Sequence, residues 1–113
     1  MQNKAAMSLS RELQMDFLKL GKRLKAARVR RRMSLADLAA RTNSSVNTLR
    51  SLEQGRPTIS LAVLARVLDV MRMPKRLSSL ADPGEDRIGQ AEELRRQPRR
   101  VHSPKSLEEE FGG

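Results

Sequence analysis

MSLADLAARTNSSVNTLRSLEQG, residues 33–55, carries two short apolar patterns at helical spacing, divided by the polar run Thr42-Asn43-Ser44-Ser45. Leu35, Leu38 and Ala39 form one helical stripe that ends near Arg41. Ser34 precedes it and Asp37 follows three residues on, a capping box with Asp in place of the usual Glu or Gln. Asn43 tolerates the left-handed backbone that a tight helix end needs. Ser44 or Ser45 then caps a second helix, in which Leu49 and Leu52 face inward and which Gly55 stops.

Two short helices joined by a tight turn are a helix-turn-helix. The pattern explains why the second helix is polar outside. One face packs on the domain; the other, if it enters a major groove, must carry hydrogen-bonding groups. The outward positions are Ser45, Val46, Asn47 and, one turn on, Arg50. Asn pairs with adenine and Arg with guanine, while Val46 suits a thymine methyl. The free N–H groups at the two helix starts, near Ser34 and Ser44, favour phosphate.

Working outward, Phe17, Leu20, Leu24 and Ala27 recur on one face of a preceding helix. Upstream, SRELQMDFL is a weaker helical start with Ser10 as its candidate cap. The rest of the preceding helix holds Lys19, Lys22, Arg23, Lys25, Arg28, Arg30, Arg31 and Arg32 with no acid among them. Such a set calls for an external anion or a partner elsewhere in the fold. Lys22 is a phosphate candidate, and so is Arg41 at the close of the next helix.

Downstream, Ser60 caps a fourth helix, with Ile59 and Leu64 placed for a hydrophobic staple. That helix is apolar around most of its circumference, which predicts a central or interfacial position. Pro74 to Leu80 is read as a short fifth helix. Met71, Met73, Leu77 and Leu80 are the candidate dimer interface. From Asp82 the composition turns charged and proline-rich. Residues 82–113 are read as a flexible charged tail with a helical stretch at 88–97. The division is therefore 1–16 as an N-terminal extension, 17–81 as the domain and 82–113 as the tail.

Composition agrees with a polyanion as partner. The 113 residues carry 23 Lys and Arg against 13 Asp and Glu, a formal charge of +10. Cysteine is absent, so there is no disulfide or thiolate metal site. No metal-ligand cluster, phosphate loop or catalytic triad is visible, so no enzyme, cofactor or metal is expected. There is no secretory h-region and no long apolar run, so the reading is a cytoplasmic protein away from the membrane. A membrane-surface role for the basic helix is disfavoured because its apolar face is needed for the core. His102 and the run Glu108-Glu109-Glu110 read as solvated. Asn43-Ser44-Ser45 matches a glycosylation sequon by chance, given the missing secretion signal.

The stretch LGKRLKAARVRRRMSLADLAARTNSSVNTLRSLEQG, then a cap and ISLAVLARVLDVM, resembles the lambda-repressor-like (XRE-type) helix-turn-helix family. The diagnostic residues are Leu20, Gly21, Arg23, Leu24 and Arg28, then Leu38 and Ala39, then Leu49, Leu52, Glu53 and Gly55. The resemblance implies an all-α, five-helix domain that binds double-stranded DNA as a homodimer and acts as a repressor. It implies a structural ion pair between Arg28 and Glu53, and a phosphate contact from Arg56 in the loop after the third helix. Three positions depart from the family pattern. Asn43 stands where Gly is usual, Ser44 where a buried Val or Ile is common, and Val46 where a polar residue is common. Val46 therefore has two placements: toward a base, or inward to replace the missing apolar residue.

A weaker likeness, in MRMPKRLSSLADPGEDRIGQAEELRRQPRR, is to HipB-like antitoxins. It rests on composition and loose order. It implies a toxin partner related to the HipA kinase family, with Arg95, Arg96, Arg99 and Arg100 placed to contact either the toxin or DNA.

Overall fold

Four serines begin four helices. The computed structural model describes residues 8–97. Helix α1 spans Arg11–Arg30, and Ser10 Oγ accepts the Leu13 N–H at 3.1 Å. Helix α2 spans Leu35–Arg41 behind the Ser34–Asp37 box, whose two bonds measure 3.0 and 3.1 Å. Helix α3 spans Val46–Glu53, and the cap is Ser45, which accepts from Thr48 N–H at 3.0 Å. Helix α4 spans Leu61–Val70 and is capped by Ser60 through Val63 N–H. Each serine satisfies an amide that the helix itself leaves without a partner.

The four helices also end alike. In each, one residue turns left-handed and two reversed amide bonds close the last turn, the Schellman arrangement. The left-handed residues are Arg32, Asn43, Gly55 and Arg72. The closing bonds run from Met33 to Arg28, Ser44 to Ala39, Arg56 to Ser51 and Met73 to Leu68. Asn43 and Gly55 were legible as helix stops. Arg32 and Arg72 were not, because a side chain at φ 54° or 51° is disfavoured. Arg72 is exposed. Replacing Arg72 by Gly therefore should stabilise the domain by about 0.5–1 kcal/mol, read as a rise in its urea midpoint.

The core is Leu24, Ala27, Leu38, Ala39, Leu49, Leu52, Val67 and Met71, all buried. Ile59 and Leu64 pack against it. Met71 is 1% exposed, so it belongs inside the protomer and not at a dimer interface, which corrects the sequence reading. It is the C-cap of α4, where the helix turns its last apolar residue down into the core. Met73 and Leu77 are half-buried, and Leu80 is exposed.

Three boundaries differ from the sequence reading. Helix α1 runs unbroken through residues 16 and 17. Its first turns bury little, with Leu13 and Met15 exposed, so they leave only a faint periodic stripe. The expected fifth helix over Pro74–Leu80 is only a 3-10 turn at Leu77–Ser79. No side chain caps it, and the Ser79 hydroxyl donates to the Arg76 carbonyl at 2.7 Å, a local bond that competes with helix continuation. Within residues 82–113, the segment read as a flexible tail begins with regular structure. A 3-10 turn at Pro83–Glu85 leads into helix α5, Arg87–Arg96, capped by the Asp86 carboxylate accepting from Gly89 N–H. The helical stretch expected at 88–97 thus sits one residue earlier. Ile88 and Leu94 on α5 are exposed, and Arg95 lies 3.9 Å from Glu92. Arg99, Arg100, His102 and the Glu108-Glu109-Glu110 run lie outside the described residues.

Candidate nucleic-acid interface

Helix α3 is held on α1 by three contacts. At Gly21 the backbone of α1 comes so close to α3 that a Cβ there would lie 2.5 Å from the Glu53 carbonyl oxygen and 2.8 Å from that of Leu52. At Gly55, φ 80°, a Cβ would lie 2.6 Å from Leu18 Cα. Between them, Arg28 grips Glu53 with two parallel bonds, Nε to Oε2 at 2.7 Å and Nη2 to Oε1 at 2.9 Å. The third donor of Arg28, Nη1, reaches the Met33 carbonyl at 2.9 Å. The bidentate bond to Glu53 raises the Arg28 pKa above its ordinary value, against the opposing effect of burial. The ion pair implied by the resemblance is present. One of the eight cations clustered over residues 19–32 has thus found its partner within the fold.

The turn between α2 and α3 is held from below. Thr42 is fully buried, and its hydroxyl donates to the Leu38 carbonyl at 2.7 Å. The Thr42 carbonyl accepts from Arg66 Nη1, on α4, at 2.9 Å. Sequence reasoning missed both residues. A threonine closing a short helix is a weak local sign of such back-bonding. The separation of 24 positions between Thr42 and Arg66 leaves no local sign at all.

On this frame the outward positions sort themselves. Val46 is half-buried and packs against the core. This settles its two placements and removes Val46 from the base-facing set. Ser45 is exposed, but its oxygen caps α3 and lies 2.8 Å from the Thr48 hydroxyl. Asn47 and Arg50 are exposed side by side, and Arg50 Nη1 donates to Asn47 Oδ1 at 2.8 Å.

The phosphate candidates divide in the same way. Lys22, Arg41 and Arg56 are exposed, and none is in an ion pair among the described residues. Ser34 is exposed at the start of α2. The Asp37 carboxylate already occupies that helix start, and its bond from Ser34 N–H lowers the Asp37 pKa. Ser44 is half-buried and its hydroxyl donates to the Thr42 carbonyl at 3.2 Å, into the turn and away from a phosphate. The Ser44 N–H is also taken, donating to the Ala39 carbonyl at 2.9 Å, so neither donor of Ser44 is left for a phosphate.

The model of the family described as "Helix-turn-helix domain" matches residues 19–79, more than half of the chain. The chain belongs to the helix-turn-helix domain family. The match runs from within α1 to the turn at Leu77–Ser79 and includes the Gly21 crossing and the Arg28–Glu53 pair that hold α3 in place. No curated protein and no solved structure gives a significant match. In this helix-turn-helix domain α3 stands second in the motif, with α2 before it. The domain points to DNA binding and regulation. Among the described residues, no helix is long and apolar enough to cross a membrane.

Proposed function

We propose that this protein is a sequence-specific regulator that binds double-stranded DNA, with α3 lying in the major groove. The observation that carries the reading is the division of α3. Leu49 and Leu52 are sealed in the core and Val46 is turned toward it, while Asn47 and Arg50 stand adjacent and exposed. A helix serving only to fill the domain has no need of two long hydrogen-bonding side chains joined on its outer face. Lys22, Arg41 and Arg56 supply charge for the phosphates, and the formal charge of +10 supports their attraction to DNA.

The protein binds as a homodimer to an inverted repeat. Half-sites about one helical turn apart, roughly 34 Å, match a two-fold axis. Met73, Leu77 and Leu80 remain as interface residues, and exposed Leu61 on α4 adds apolar surface. Its regulatory effect is repression by occupying a promoter.

Arg50 and Arg56 separate base reading from phosphate binding in one experiment. Arg50→Ala should lower discrimination between operator and random duplex by about 1–3 kcal/mol. Arg56→Ala should weaken binding to both duplexes alike and reduce the salt slope by about one unit. Titrations over a range of salt concentrations read both quantities. Equal losses on both duplexes for Arg50→Ala would remove it from base reading; an unchanged slope for Arg56→Ala would remove that residue from the phosphates.

A further inference from the structure

The bond between Arg50 and Asn47 changes what this face can recognise. A free asparagine offers a donor and an acceptor, the pair that matches adenine N7 and its N6 amino group. Here the acceptor, Asn47 Oδ1, already receives Arg50 Nη1 at 2.8 Å. An adenine amino group approaching Oδ1 would meet a guanidinium that is itself all donors and positively charged. What the pair still presents is the two Asn47 Nδ2 amide hydrogens, the remaining N–H groups of Arg50 and one further lone pair on Oδ1, which lies beside the guanidinium charge. The neighbouring Ser45 hydroxyl donates its proton to Thr48 Oγ1 and accepts the Thr48 N–H, which leaves it one lone pair at the start of α3, a turn away from Arg50. The exposed centre of α3 is therefore rich in donors and poor in acceptors.

We infer that Asn47 and Arg50 act as one donor clamp selecting guanine, so that the base pairs beneath them carry guanine and not adenine. Guanine is the base that shows two acceptors, N7 and O6, in the major groove. The two residues are three apart on a helix, about 5–6 Å between their Cβ atoms. Base pairs rise by about 3.4 Å, so the clamp spans one pair or two adjacent pairs. The inference rests on the DNA-binding reading above and deepens it, replacing the adenine expected from Asn47 alone. It also makes the two side chains interdependent: Arg50 orients the amide of Asn47, and Asn47 restrains the guanidinium.

The test is selection from a randomised duplex library by the full-length protein, followed by titration of the selected site. The expected result is guanine at the positions lost when Arg50 is replaced by Ala. Substituting 7-deazaguanine there, which removes the N7 acceptor, should weaken binding at least tenfold. Asn47→Asp should weaken it at least tenfold as well, because the variant loses the amide donor and ties Arg50 to a carboxylate. An acid in the first turn of a helix suits the helix dipole, so this variant should fold, and circular dichroism checks that it does.

Adenine at one selected position, with its preference lost in Asn47→Ala alone, would overturn the clamp and leave DNA reading intact. Guanine whose selection is indifferent to Asn47→Asp would also overturn it, by making Arg50 the sole reader. A library that yields no preferred sequence would overturn the DNA reading itself, and the clamp with it.

Discussion

Gly21→Ala should destabilise the domain by roughly 3 kcal/mol, although alanine is the better helix former. In an exposed helix interior the same change would stabilise by about 1 kcal/mol. The sign reverses because Gly21 is buried where α1 crosses the C-terminal end of α3. The added Cβ would lie 2.5 Å from Glu53 O, 2.8 Å from Leu52 O and 2.9 Å from Glu53 C. All three atoms are backbone, so no side-chain rotation relieves the contact. One helix must move away from the other, and that displaces Glu53 from Arg28. Two measurements divide the effect. A peptide of residues 11–32 should gain helix content on Gly21→Ala, while urea unfolding of the full chain should shift to a lower midpoint. An intact or raised midpoint in the full chain would show that the two helices do not approach this closely in solution. Because α3 is carried on this crossing, DNA affinity should fall together with stability.

The elements that local chemistry dictates were legible. Ser34, Ser45 and Ser60 precede apolar runs, and each is a cap; Asn43 and Gly55 follow such runs, and each is a left-handed helix end. Periodicity placed Leu24, Leu38, Leu49 and Leu52 inside, where they are found. The misreadings came where neighbouring sequence does not decide. Met71 has the composition of an interface residue, and only the turn at the end of α4 sends it into the core. The segment after Pro74 has the residues of a helix, yet the Ser79 hydroxyl bond and the missing cap leave it as a single 3-10 turn. Gly21 was recognisable as part of a motif, but its reason is a contact across 31 residues with Leu52.

The site followed the same division. Exposure of Asn47 and Arg50 follows from the inward positions of Leu49 and Leu52, because a helix repeats every 3.6 residues. Periodicity left the side of Val46 open, since Ser44 had broken the family pattern. The packed core decided it, as an apolar side chain is better placed against other apolar side chains than in water. Nothing local indicates Arg66 as a support of the turn, because its partner is a backbone carbonyl on another helix. The bond from Arg50 to Asn47 is different: three residues apart on one helix, such a pair is accessible to sequence reasoning and was passed over.

Arg28→Ala should cost about 3–5 kcal/mol, comparable to the loss at Gly21 but by an electrostatic route. The side chains of Arg28 and Glu53 are only 12% and 7% exposed, so the pair is withdrawn from most of the water that would solvate either charge. Removing the arginine strands the Glu53 carboxylate and also frees the Met33 carbonyl at the end of α1. Arg28→Lys should recover only part of the loss, because an ammonium cannot supply two parallel bonds and a third to Met33. Replacing both partners, with Arg28→Met and Glu53→Leu, should recover more, since no buried charge is then left unpaired. A double-mutant cycle by urea unfolding reads these terms. The pH dependence gives a second check. Arg28 has its pKa raised in the folded state, so its contribution is complete below the ordinary arginine value and is lost only as pH rises through the folded value. Between pH 6 and 9, roughly, titration of Arg28 should add no slope to the stability of the native chain. Asp37 has the opposite sign: its pKa is lowered from 3.8, so the capping box stabilises above that value and is lost as pH falls further. If the cost of the double replacement equals the sum of the two single costs, the two residues act independently and the grip of α1 on α3 must be assigned to the glycine contacts alone.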